Sequence, residues 1–255
     1  MWNRIEFKNA GKANFRSKYW LFVAVSLLLS IAFGGTIIKE IFDDENASMF
    51  RQFISLNINI KDYIKPAATA VFGGASILSI AFHLLAANPY EVGASRFFAE
   101  SRINENVQFS AVKAGFARRY GNIVLTRFLE DLYIALLCLL FVIPGIVRAF
   151  GYFAVPFILA ENPDLDHSRV LKLSRAMTMG YKGKIFNVFL SFIGWYILSA
   201  ITAEIVGIFY ANPYINATKA EMYAFLRERA LADGIATIDE LPGFGEPSGY
   251  STWRY

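Results

Sequence analysis

Residues 132–184 decide the fold of this 255-residue chain, and they read LYIALLCLLFVIPGIVRAFGYFAVPFILAENPDLDHSRVLKLSRAMTMGYKGK. An apolar run is interrupted by Ile-Pro-Gly-Ile at residues 143–146 and ends at Ala160. The chain then passes through an acidic turn at 161–164 into a basic amphipathic segment. This order of segments is typical of a chain that crosses a membrane more than once.

The composition agrees with a membrane protein. Hydrophobic residues make up 55% of the chain and charged residues only 18%, and the mean hydropathy is +0.38. The formal charge of +4 fits lysines and arginines kept on the cytoplasmic side, so we expect no nucleic-acid partner. The single cysteine, Cys138, excludes an internal disulfide, and we expect it to be a small buried hydrophobe.

The apolar runs predict an all-α, polytopic membrane protein with about five membrane-embedded helices and amphipathic interfacial helices. The predicted runs are residues 19–38, 67–87, 123–143, 146–160 and 185–210.

These runs fall within one predicted helical membrane domain, residues 19–232. A basic juxtamembrane segment, residues 1–18, precedes the domain. A Gly/Pro-rich tail, residues 233–255, follows it, and we expect the tail to be flexible.

Two of the runs leave alternatives open. Residues 123–160 predict a helical hairpin with its turn at Pro144-Gly145, either as two full spans or as a re-entrant pair. Residues 185–210 form either one tilted span or a broken pair that turns back. The first choice places the C-terminus outside, and the second returns it inside.

The charge distribution sets the orientation. The leader and the loops at 88–122 and 161–184 are rich in lysine and arginine, whereas the loop at 39–66 is net acidic. We therefore predict a multi-pass protein of the cell membrane with a cytoplasmic N-terminus. The basic segments predict contact with anionic headgroups of the bilayer, although in the leader the charges could serve orientation alone.

Five charged residues fall within the predicted apolar runs. Arg127 precedes Glu130 by three residues and Asp131 by four, so one helix face carries an internal ion pair. They form either a solvated helix start or a polar site that faces the bundle. We also consider that Arg148 and Glu204 pair across helices, because charges at such depth are normally paired or wetted.

Catalytic signatures are missing from the sequence. There is no Walker loop, HExxH or GxSxG motif, and the two histidines, His83 and His167, have no partner at metal-ligand spacing. We therefore expect a protein that is not an enzyme, with no catalytic residues, metal or cofactor.

Several motifs together resemble the bacterial integral membrane family called domain of unknown function 975. The residues that carry the resemblance are Asn88-Pro89-Tyr90-Glu91-Val92-Gly93 with Arg96-Phe97-Phe98; Ile143-Pro144-Gly145-Ile146 with Arg148; Val155 to Pro163; Ser174-Arg175 with Met179-Gly180; Leu190 to Trp195; and Pro213-Tyr214 with Thr218 and Tyr223. The family pattern usually has lysine at the position of Arg148. The resemblance implies a polytopic plasma-membrane protein without an assigned reaction, and no catalytic residue can be carried over.

Three functions remain as hypotheses. The first is a non-enzymatic protein that organises or assists other membrane components, with membrane-protein partners or a second copy of itself. The second is a small transporter or channel-like subunit that uses Arg148, Glu204 and the helix break at Pro144-Gly145, although no convincing internal repeat is visible. The third, an enzyme acting on lipid, has the least support.

Overall fold

A computed structural model describes residues 2–43, 80–116, 119–202 and 204–244. All regular secondary structure within these residues is helical, which confirms the all-helical prediction. The α-helices are α1 (Arg4–Ser17), α2 (Tyr19–Asp43), α3 (Asn88–Glu100), α4 (Tyr120–Leu140), α5 (Val142–Gly151), α6 (Val155–Glu161), α7 (His167–Met177), α8 (Lys182–Leu190), α9 (Ile193–Ile201) and α10 (Asn212–Ala232). Two π-helices, His83–Ala87 and Gly207–Ala211, directly precede α3 and α10, and a 3₁₀ helix spans Phe109–Phe116.

The number of candidate membrane spans in the described residues is smaller than the predicted five. Val142–Glu161 and Lys182–Ile201 are long and apolar enough to cross a bilayer, and a third candidate joins Arg4–Ser17 to Tyr19–Phe33 through a bend of 105°. Helix α4 is long enough to cross a bilayer, but three charged residues near its middle make it too polar to count as a candidate span. The predicted run at 67–87 lies mostly outside the described residues.

Helices α4 and α5 form the predicted hairpin, but the turn is not at Pro144-Gly145. The chain breaks at Phe141, whose backbone is extended (φ −151°, ψ 119°) between the two helices. Pro144 lies inside the first turn of α5, where backbone N–H groups need no helical partner and proline is tolerated. Gly145 packs against Cys138, so it serves close helix approach rather than the turn.

The last apolar run turns back on itself, which is the second of the two alternatives. Helix α9 ends at Ile201, and Glu204 adopts a left-handed conformation (φ +66°) before the returning π-helix. Trp195 packs on Tyr210 at 4.6 Å, and Phe192 packs on Tyr214 at 5.1 Å, so the two arms run antiparallel. The returning arm brings α10 alongside α1, where Gly11 contacts Thr218.

Helix α2 pairs in the same antiparallel way with the segment that leads into α3. Phe33 packs on His83 at 5.4 Å, and Phe22 packs on Phe97 at 5.5 Å. Helices α3 and α10 begin alike, because each follows a π-helix with the residues Ala-Asn-Pro-Tyr, at 87–90 and at 211–214. The structure thus shows a repeated π-helix–Asn-Pro unit that sequence analysis missed.

Helix α10 lies at the centre of the helical body instead of on its surface. Eleven of its residues are buried, among them Tyr223 and Met222 at 1% exposure each. Helix α1 covers one side of it with Phe7 and Phe15. Helix α7, which lies in the predicted basic amphipathic segment, buries a face that includes Val170, Leu173, Ser174 and Met177. These helices are therefore packing elements of the body.

Residues 233–244 of the predicted flexible tail (residues 233–255) pack against this body, and the rest of the tail lies outside the described residues. Arg169 donates two hydrogen bonds to the carboxylate of Glu240, at 2.6 and 2.9 Å, and these bonds hold the pKa of Glu240 below its usual value. Leu241 is fully buried. Apolar and ionic contacts at long sequence separation anchor this segment, and composition alone does not reveal such contacts.

Exposed apolar side chains collect at the two hairpin apices. At the α4–α5 apex Leu139 is 80% and Ile143 is 75% exposed, and at the α9 apex Ile201 is 72% exposed. A soluble protein rarely leaves such a cluster in water, so this surface is suited to lipid or to a protein partner.

We expect Gly145→Ala to destabilise the protein by about 1 to 3 kcal/mol, because a Cβ there would lie 2.9 Å from the Cα of Cys138 and would overlap its sulfur. Gly194→Ala is the matched control, since a Cβ on Gly194 meets nothing within 4 Å and alanine favours helix. Thermal unfolding of the purified protein in detergent measures both. Equal Tm values for the two variants would show that the hairpin is not closely packed.

Candidate functional site

A buried polar cluster joins α3 to α4, and we call it the Arg127 cluster. Its members are Asn88, Glu91, Arg127, Glu130 and Asp131. Arg127 is 5% exposed and Glu130 is 3% exposed. The Arg127 Nη1 atom donates to Glu130 Oε2 at 2.6 Å, and its Nη2 atom forms an ion pair with Glu91 Oε2. One guanidinium thus binds one carboxylate from each helix.

The remaining carboxylate of the cluster has its own partners. Asn88 Nδ2 donates to Asp131 Oδ2 at 2.9 Å, and His83 Nε2 lies 3.7 Å from the same oxygen. Asn88 is fully buried, and its Oδ1 atom has no hydrogen-bond partner among the described residues. The i, i+3 spacing of Arg127 and Glu130 predicted their pair, but nothing in the sequence indicated the contribution of Glu91 from α3.

A lysine extends the cluster towards α10. Burial lowers the pKa of the Lys219 ammonium, and the nearby carboxylate of Glu91 acts in the opposite direction. The Lys219 Nζ atom also lies 5.8 Å from the centre of the Phe189 ring. Sequence reasoning missed Lys219 because the residue has no acidic neighbour at helical spacing within α10. Lys219 on α10 therefore lies within electrostatic range of the cluster, but it forms no ion pair with it among the described residues.

The other two predicted site residues are not brought together. Arg148 lies over the ring of Tyr152 at 5.4 Å, and its charged neighbours include Arg175 and Lys182. Glu204 lies at the bend after α9, where its side chain reaches Gly207. Arg148 and Glu204 do not contact each other, so the structure does not support the predicted pair. Pro144 and Gly145 belong to α5 and carry no break.

A second buried carboxylate, Glu161, holds the end of α6. Its Oε1 atom accepts hydrogen bonds from Arg227 Nε and from the backbone N–H of Gly243, each at 2.7 Å, and Oε2 accepts one from the hydroxyl of Tyr223. Burial, together with the adjacent carboxylate of Glu161, raises the pKa of Tyr223 well above its usual value. Glu161 thereby fixes α6, α10 and the tail segment, and we assign it a structural role.

Metal-binding groups of three or more histidine, cysteine or acidic side chains do not occur among the residues that the structure describes. The one cysteine, Cys138, is buried against Gly145. What the Arg127 cluster can do chemically is hold charge within the helical body by mutual neutralisation, or pass a proton among its carboxylates and His83.

The described part of the chain is all helical and has two or three potential membrane spans, which is typical of a helical membrane protein. A family comparison makes this class of protein more specific. The model of a family described as a protein of unknown function (DUF975) matches residues 117–230. This match confirms the resemblance inferred from the motifs between Ile143 and Tyr223. Comparisons with curated proteins and with solved structures find no match.

Replacing Arg127 by methionine leaves Glu91 and Glu130 without their cation, and we expect a loss of about 3 to 5 kcal/mol in stability. Arg119→Gln, at the residue that precedes α4, is the control, because the pair of Arg119 with Asp164 is largely exposed and contributes about 0 to 1 kcal/mol. Chemical unfolding in detergent gives both values. A loss in Arg127→Met no larger than that in the control would contradict a closed, buried cluster.

Proposed function

We propose that the chain is a multi-pass protein of the cell membrane that organises or assists other membrane components without catalysis of its own. The observation that carries the proposal is the separation of charged and apolar groups. Charged side chains inside the helical body bind one another, as in the Arg127 cluster, while large apolar side chains are exposed at the hairpin apices. Such a surface is suited to lateral contact within a bilayer.

A cytoplasmic N-terminus is part of this proposal. Helices α1 and α10 lie side by side, so the leader and the C-terminal helix are at the same end of the body. Basic residues are frequent at that end, including Arg4, Lys12 and Arg16 on α1. The excess of lysine and arginine on cytoplasmic segments supports the orientation.

The leader is suited to holding this end of the body together as well as to contact with lipid. Lys8 Nζ donates to the backbone oxygen of Ser191 at 3.2 Å and lies 4.2 Å from the Phe192 ring. Lys18 donates to the backbone oxygen of Ser101 at 2.6 Å. Arg16 is exposed, so the proposed contact with anionic headgroups falls on it.

Photo-crosslinking in intact membranes tests the organising role. A photoreactive residue at position 139 or 201 replaces an exposed apolar side chain at an apex, and we expect a reproducible adduct with one membrane protein or with a second copy of the chain. Position 172, an exposed lysine on α7, is the control away from the apices. Adducts with lipid alone at both apices would count against the organising role.

Transport is the second candidate function. The Arg127 cluster is a better site for transport than the predicted site at Arg148 and Glu204, because its members contact one another. Two π-helix–Asn-Pro units flank α2, and interrupted helices beside polar groups are common at transporter binding sites. A transporter that carries protons or cations through the cluster would lose most of its flux in Glu130→Gln. The flux in reconstituted vesicles, compared with that of Glu204→Gln, measures this, and equal flux in both would remove the candidate.

A further inference from the structure

Three basic side chains from three helices converge beside Gly151. They are Arg148 on α5, Arg175 on α7 and Lys182 on α8, and we call them the cation triad. A Cβ atom built on Gly151 would lie 3.5 Å from Lys182 Nζ and 3.8 Å from Arg175 Cγ. Both arginines act electrostatically on Lys182. The fold therefore holds three like charges close together.

The triad has no acidic partner among the described residues. Its side chains form no ion pair or hydrogen bond there, and the buried Nε atom of Arg148 has no hydrogen-bond acceptor. By contrast, Arg96, Arg102, Arg169 and Arg227 each bind a carboxylate in the same helical body. A cluster of like charges without a counterion favours binding of an anion, and the planar guanidinium fork matches phosphate oxygens.

Exposed apolar side chains continue from the triad along both membrane candidates. On α8, Lys182, Phe186 and Leu190 follow one another at intervals of four residues, so they share a helix face. Phe186 is 38% and Leu190 is 40% exposed. On α5, Val147 is 46% exposed. A molecule with an anionic head and apolar chains would satisfy both parts of this surface.

The two surfaces are joined by direct packing. Phe150 of α5 lies edge-on to Phe186 of α8 with ring centres 5.6 Å apart. Arg148 is seven residues from the apex at Phe141, which corresponds to about 10 Å of helix. The triad therefore lies about two helical turns from the exposed apolar apex of the hairpin, so an anionic group bound there would be next to apolar surface.

We propose that the cation triad binds the phosphate group of an anionic phospholipid, whose acyl chains lie along Val147, Phe186 and Leu190. This site rests on the membrane placement in the proposed function, but it does not depend on an organising role. A free phosphate offers the same oxygens but none of the apolar contact. The lipid is therefore the ligand that uses the whole surface.

Binding of phosphatidylglycerol to the full-length protein in detergent micelles tests the proposal, with phosphatidylcholine and inorganic phosphate as comparison probes. Thermal stabilisation and native mass spectrometry both report binding. We expect phosphatidylglycerol to bind, and Arg175→Gln/Lys182→Gln to weaken its affinity by at least roughly tenfold, because two charge-assisted contacts are lost. Lys172→Gln/Lys184→Gln removes the same charge from exposed positions of the same two helices and should keep the affinity within about twofold.

Three results would overturn the proposal. Equal loss of affinity in both double variants would mean that net charge and not the triad attracts the lipid. Binding of phosphatidylcholine as tight as that of phosphatidylglycerol would remove the need for the anionic head. Competition by millimolar inorganic phosphate would assign the triad to a soluble anion.

A conservative variant separates binding from folding. Arg148→Lys keeps the charge but loses the guanidinium fork, and we expect a smaller loss of lipid affinity than in Arg175→Gln/Lys182→Gln at an unchanged helical signal in circular dichroism. Loss of lipid binding with unchanged photo-adducts at position 139 or 201 would leave the two proposals separate. Unchanged lipid affinity in a folded Arg175→Gln/Lys182→Gln protein would refute the lipid site alone.

Discussion

The rest of the structure depends on the burial of Arg127 between two carboxylates. A cation inside a helical body is tolerated only when opposite charges and hydrogen bonds replace the water that it loses. Glu130, one turn further along α4, and Glu91, on α3, supply both. Because the partners come from two helices, the same contacts that neutralise the charge also fix α3 against α4.

The part of the hairpin beyond this cluster is apolar. Beyond Asp131 helix α4 carries no charged residue up to its end at Leu140, and α5 carries none before Arg148. The hairpin therefore has a charged base and an apolar apex. Its two arms approach closely because Gly145 lies against Cys138. The α9 arm and its return follow the same plan, with a left-handed residue, Glu204, at the bend. Exposed apolar side chains therefore collect at both apices, although Glu204 is a charged residue at the second bend, and the cation triad lies nearer the base of the first hairpin.

The sequence was sufficient to predict the class of fold and ion pairs between residues within one helix. The apolar runs predicted helices, and the spacing of Arg127 and Glu130 predicted an ion pair within one helix. The predicted position of the hairpin turn was wrong. Proline is tolerated in the first turn of a helix, where Pro144 lies, and phenylalanine at position 141 is not a residue type that indicates a turn. The repeated Ala-Asn-Pro-Tyr at 87–90 and 211–214 was visible in the sequence, but its meaning depends on the π-helices before it.

Contacts between distant parts of the chain could not be predicted. Glu161 receives hydrogen bonds from residues 62 to 82 positions away, and no helical spacing encodes them. The same limit applies to the cation triad, whose members come from three helices. It also applies to Arg148 and Glu204. Each is a charged residue within an apolar stretch of sequence, and only the fold determines which side chains lie next to it.

The central claim is that the pair of Arg127 and Glu130 is closed to water, and the reactivity of single thiols on either side of it tests this claim most directly. In a Cys138→Ser background, Thr126→Cys and Ile134→Cys place thiols one turn before and one turn after Glu130 on α4, at positions that are 0% and 1% exposed. Lys172→Cys is the exposed control. We predict that an impermeant thiol reagent labels position 172 and neither 126 nor 134 from either side of the membrane. Labelling at 126 and 134 in a folded protein would show a water-filled path through the cluster and would contradict the account.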